Sequence, residues 1–129
     1  MEIEPLITRG ALTVKRSDSL HDAAVSMMER GVGSAVVITD GKPTGIITDR
    51  DALRVIARGQ DPKTLLVGDC LNRTLKTVTA SLDVVDAANS MRETGFRQLV
   101  VVDDAGSLVG VFSMRDLVVG LLQERGVSA

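Results

Sequence analysis

The stretch "TVKRSDSLHDAAVSMMERGVGSAVVITD" runs from Thr13 to Asp40, and "TVTASLDVVDAANSMRETGFRQLVVVDD" runs from Thr77 to Asp104. Laid over one another at a spacing of 64 residues, they agree at thirteen of 28 positions, among them both Thr-Val pairs, Asp22/Asp86 with the following Ala-Ala, Met27/Met91 and Gly31/Gly95. The match extends backwards to Ile3/Val67 and Arg9/Arg73. One extra residue in the second hairpin shifts the spacing to 65, which places "GIITDRD" (Gly45–Asp51) over "GVFSMRD" (Gly110–Asp116). Internal repetition of this kind decides the architecture before any single element is read. It divides the chain into repeats at residues 3–66 and 67–126.

Each copy reads as the same series of elements. "SLHDAAVSMMERG" puts Leu20, Ala23, Ala24, Met27 and Met28 on one helical stripe, with serines for the N-cap and Gly31 to end the helix. "SAVVIT" and "QLVVVD" are short β-branched runs that suit strands buried on both faces. "DGKPTG" and "DDAGS" turn into a third strand, and "DRDALRVIARG" or "MRDLVVGLLQERG" follows as a second helix. With the short "TV" strand in front, the fold class is α/β: two tandem β-α-β-β-α units related by pseudo-two-fold symmetry. "GQDPKTLLVGD" reads as a connecting loop from about Gly59. The last helix, with Leu117, Val118, Val119, Leu121 and Leu122, carries more apolar surface than one stripe requires.

Composition narrows the function. The 129-residue chain is 44% hydrophobic but 2% aromatic, so its core is built from aliphatic residues and methionine. A half of this length would be marginal alone, whereas the whole chain buries a sizeable core. A net charge of −2, with no basic cluster, argues against a nucleic-acid surface. The N-terminus lacks a signal-peptide pattern, and no apolar run approaches the ~20 residues of a membrane span. A lone cysteine, Cys70, suits a reducing compartment. A cytoplasmic protein without membrane or nucleic-acid partners is the expectation.

The ordered recurrence of "TV", "D-A-A-x-S-M" and "G-h-h-(T/S)-x-x-D" (h, apolar) resembles a CBS-domain pair, named after cystathionine β-synthase, over about residues 3 to 126. Prolines common in that family after the first strand and in the second strand are absent; Lys15-Arg16, Thr79-Ala80, "SAVVIT" and "QLVVVD" stand there.

Thr48-x-x-Asp51 and Ser113-x-x-Asp116 each fit a capping box, in which the hydroxyl accepts from a backbone N–H and the carboxylate complements the helix dipole. The same helix end also suits a ligand. Its unpaired N–H groups attract an anion, the hydroxyl of Thr48 or Ser113 reaches a phosphate oxygen, and Arg50 or Arg115 supplies counter-charge. Asp51 or Asp116 would repel a phosphate but accepts from a ribose diol, as acids do in dinucleotide folds. The resemblance implies this division, with the ligand in the cleft between two repeats and adenine in an apolar slot. That slot draws on Gly10, Ala11 and Thr13 in copy one, and on Thr74, Leu75 and Thr77 in copy two. The resemblance also implies a phosphate role for a basic residue near Arg97, where copy one has Gly33; Arg97 also fits an ordinary surface position. With Met114 replacing Asp49, copy two is the better site.

Other candidates carry less. His21 has no second ligand at metal spacing. Cys70 aligns with Leu6 and reads as buried filling. "ERGVGS" follows a helix instead of a strand, the reverse of a dinucleotide loop. The Met27-Met28 pair reads as core. With no nucleophile–base–acid set, an enzyme is not expected. The expected function is a stand-alone regulatory module, needing no cofactor, that senses AMP, ADP, ATP or S-adenosylmethionine. It is expected to form a homodimer. The alternative is a ligand-free scaffold docking a partner protein.

Overall fold

The computed structural model describes residues 1–71 and 75–126. In the first repeat, strand β1 (Thr13–Val14) precedes helix α1 (Leu20–Arg30), strands β2 (Ser34–Thr39) and β3 (Lys42–Thr48), and helix α2 (Asp49–Ala57). A short helix α3 (Val67–Cys70) leads into the second repeat, with β4 (Thr77–Val78), α4 (Val84–Thr94), β5 (Gln98–Val102), β6 (Leu108–Ser113) and α5 (Met114–Glu124). Each repeat forms a three-stranded sheet in chain order, its first pair parallel and its second antiparallel.

Local chemistry accounts for these elements. Ser19 caps α1 by accepting from Asp22 N at 3.0 Å, and Gly31, at φ 64°, closes it. The β2–β3 hairpin turns on Asp40 and Gly41, at φ 51° and 79°, the two positive values that a type I′ turn requires. The β5–β6 turn is longer, and Asp103 Oδ1 organises it by accepting from Ala105 N and Ser107 N. Both faces of each central strand are buried. Ala35 and Val37 enter the first core while Val36, on the other face, is equally buried. In the second sheet Leu99 pairs with Phe112 where the first sheet pairs Ala35 with Ile47. The two cores are therefore filled by different volumes on one plan.

Compactness does not follow the repeats. One compact unit is Ala11–Leu75; the other joins Met1–Gly10 to Lys76–Ala129. Ile3 and Ile7 lie in the core of the second repeat with Val84, Met91 and Phe112. Their repeat equivalents Val67 and Leu71 pack in the first, with Leu20, Met27 and Ile47. The backbone repeats this logic: Ile3 N donates to Leu82 O and Val84 N to Met1 O, whereas Val67 N donates to Asp18 O and Leu20 N to Leu65 O.

Two expectations need correction. Met28 is 83% exposed, while Leu20, Ala23 and Met27 are buried. Met28 lies eight residues beyond Leu20, about 80° round the helix, so it falls beside the buried stripe. The stretch after Gly59 is also more than a connecting loop. Leu65 packs on the first core, and Val67 and Cys70 of α3 are part of it.

Candidate functional site

Each second helix begins directly at the end of a strand, and the hairpin partner fixes its first turn. In copy one Ser34 pairs with Thr48, and Asp49 N donates to Gly33 O at 3.0 Å. In copy two Gln98 pairs with Ser113, and Met114 N donates to Arg97 O at 2.8 Å. Positions 33 and 97 therefore stand against the first residue of their helices. A Cβ at Gly33 would lie 3.3 Å from Asp49 Oδ2, so in copy one a carboxylate fills the space beside the glycine.

Both expected capping boxes are present. Thr48 N and Oγ1 donate to Asp51 Oδ2 at 2.8 and 3.1 Å. Ser113 N and Oγ donate to Asp116 Oδ2 at 2.8 and 2.9 Å. Beyond the box the two sites diverge. Asp51 is 1% exposed, and its Oδ1 accepts from the Arg54 guanidinium at 2.9 Å. Asp116 is partly exposed, and among the described residues only its Oδ2 is engaged, with Thr8 Oγ1 contributing a long third contact at 3.4 Å. Arg50 and Arg115 are both exposed, one residue before these carboxylates.

The structure sorts the expected slot residues differently from the repeats. Gly10, at φ 68°, lies in the unit that holds Ser113, Arg115, Asp116 and Arg97. Ala11 and Thr13 lie in the unit that holds Thr48, Arg50 and Asp51. Thr13 lines an open groove of about 430 Å³ with Lys15, Asp18 and Asp40, and none of Thr48–Asp51 lines it. Thr77 is exposed and Leu75 partly buried; Thr74 lies outside the described residues.

Sequence reasoning missed Thr8 and Arg54. Thr8 N and O pair with Val111 in a bridge to β6, which brings the threonine to Asp116. No local motif marks a contact across 108 residues. Arg54 had a readable signal, since Asp51-x-x-Arg54 stands where copy two has Asp116-x-x-Val119.

The lesser candidates are placed as well. Cys70 is buried, its thiol donates to Leu66 O at 3.3 Å, and burial raises its pKa, which disfavours the reactive thiolate. His21 Nδ1 is 3.6 Å from Asp22 Oδ1. No group of three metal-ligating side chains occurs among the described residues.

A family model for the CBS domain matches residues 3–58 and again 67–122. The chain belongs to the CBS-domain family. Its two domains are in tandem, as the internal repeat implied. An uncharacterised protein of Methanopyrus kandleri is 32% identical over 84% of this chain, which spans 57% of that relative's length. A CBS-domain protein from Pyrobaculum aerophilum, complexed with AMP, superposes with a TM-score of 0.87 at 28% identity, covering 98% of this chain and 100% of that one. CBSX2 in complex with AMP gives 0.82 at 29% identity, covering 96% and 98%. No described helix of this CBS pair is long and apolar enough to cross a membrane.

Proposed function

We propose that this CBS pair is a regulatory module that binds an adenosine nucleotide of the AMP class at the start of α5. The observation that carries the reading is Asp116 Oδ1, a carboxylate oxygen of a partly exposed residue, left unengaged among the described residues at a hydroxyl-capped helix N-terminus. Ser113 and the α5 backbone suit the phosphate, Arg115 and Arg97 the counter-charge, and Asp116 the ribose diol. The likeness to two AMP-complexed CBS proteins across nearly the whole chain supports the ligand class. Thr8 reaches Asp116 at this site; Thr74, Leu75 and Thr77 remain the adenine contacts proposed for copy two, and Gly10, Ala11 and Thr13 those proposed for copy one. The reading is non-catalytic and cytoplasmic.

We further propose a homodimer. The structure leaves Val118 52% exposed on α5 and, beyond what the sequence suggested, Leu53 and Ile56 each 64% exposed on α2. A second copy of the chain would cover these apolar faces.

Thermal melts with AMP, ADP, ATP, S-adenosylmethionine and guanine nucleotides test the ligand class. A ligand at 100 times its Kd stabilises the fold by about 2.7 kcal/mol, so an adenosine compound raises Tm and a guanine nucleotide does not. Unchanged melts across the whole panel would favour a ligand-free scaffold.

A further inference from the structure

We infer that Arg54 closes the ribose position of the first repeat, so that the chain carries one nucleotide site, in the second repeat. The inference rests on the nucleotide reading above and specifies which copy performs it.

A carboxylate that grips a ribose diol must offer oxygen lone pairs to two hydroxyl donors. Asp51 has committed both oxygens within its own unit: Oδ2 to the N–H and hydroxyl of Thr48, and Oδ1 to Arg54 at 2.9 Å. The pair is charge-assisted, with the carboxylate 1% and the guanidinium 27% exposed, so solvent screens it only from the arginine side. A ribose hydroxyl would have to replace a cationic donor with a neutral one, the weaker partner. The cation belongs to copy one alone. At the spacing of 65 that superposes Asp51 on Asp116, Arg54 falls on Val119, whose side chain has no donor.

A second difference points the same way. The first turn of α2 begins with Asp49, whose carboxylate lies against Gly33, adding negative charge where an anion would approach. The first turn of α5 begins with Met114, with Arg97 in place of the glycine. The first repeat thus holds its helix end as an internal cap, and the second keeps a carboxylate oxygen for a ligand.

Calorimetric titration of the full chain with AMP tests this. The wild-type chain is expected to take one equivalent per chain. Arg54→Val, which gives copy one the residue found in copy two, is expected to take two, and adding Asp51→Asn to it returns the count to one. In the reverse exchange, Val119→Arg supplies Asp116 with an internal cation and weakens AMP at least tenfold. Val119 is only partly buried, so this variant decides the matter even if Arg54→Val does not fold. Two equivalents for the wild-type chain, one equivalent for a folded Arg54→Val, or unchanged AMP affinity in Val119→Arg would each overturn the inference. No binding of AMP, ADP, ATP or S-adenosylmethionine by the wild-type chain would instead remove the nucleotide reading, and this inference with it.

Discussion

Asp51 and Asp116 share a position in the repeat, yet their substitution by asparagine has different expected consequences. Asp51→Asn removes the charge from a buried carboxylate and with it the charge assistance of its bond to the Arg54 guanidinium, which is 27% exposed. Losing a charge-assisted bond of that kind costs about 1–3 kcal/mol, towards the lower end here because water reaches the arginine. Asp116→Asn weakens a helix-dipole contact at a partly exposed position, worth about 0.3–1 kcal/mol. Urea denaturation of the two variants should therefore rank Asp51→Asn as the more damaging; equal losses would contradict the distinction between a locked and an open carboxylate. At this scale the hydroxyl–aspartate spacing made both capping boxes legible, because the box is local. The fate of the second carboxylate oxygen was not, since it depends on a residue one turn further on and on how deeply the helix end is buried.

Gly45 and Gly110 are equivalent elements of the repeated "G-h-h-(T/S)-x-x-D" pattern, and each allows a neighbouring segment to approach its strand. A Cβ at Gly110 would stand 2.4 Å from the backbone oxygen of Thr8, inside the bridge to Val111. At Gly45 the nearest atom, at 2.8 Å, is Cδ1 of Leu71, the mobile end of a side chain. Gly110→Ala should cost about 1–3 kcal/mol by overpacking, and Gly45→Ala less, as read by chemical denaturation. A reversed order would mean that Thr8 does not lie on β6 as described. The repeat marked both glycines without revealing their purpose, because periodicity shows which residues are equivalent but not which copy a segment packs against. That is why Ile3 and Ile7 read as part of the first repeat and fold into the core of the second.

The same N-terminal segment carries a pH dependence. The Met1 ammonium bonds to Glu124 and Asp83, which raise its pKa, and the ammonium in turn lowers that of Asp83. A raised amine contributes stability that is full below its unfolded value near 8.0 and is lost as the pH climbs through its folded value. The lowered carboxylate contributes above its unfolded value near 3.8 and loses that contribution as the pH falls through its folded value. Melts of the native and N-terminally acetylated chains should therefore differ most between these limits and converge at high pH. A gap that persists unchanged at alkaline pH would rule out the ammonium as its source.

For the whole molecule, the fold was legible because it is written twice: aliphatic strands, capped helices and a spacing of 64 leave little choice of architecture. The exposed apolar surface was legible only in part. The excess on α5 could be counted in the sequence, whereas Leu53 and Ile56 on α2 fit an amphipathic stripe until the structure shows which side is buried. Sedimentation at micromolar concentration should return twice the 13.7 kDa chain mass. A monomer would assign those faces to a different protein.

Calorimetric titration of AMP into the wild-type chain and Asp116→Asn tests the central claim most directly, provided urea denaturation shows both to be folded. Charged hydrogen bonds to a ribose diol are worth about 1.5–3 kcal/mol, which corresponds to roughly tenfold or more in affinity. The account predicts that Asp116→Asn binds AMP at least tenfold more weakly while losing little stability. Unchanged AMP affinity together with lowered stability would show that Asp116 is a helix cap and nothing more.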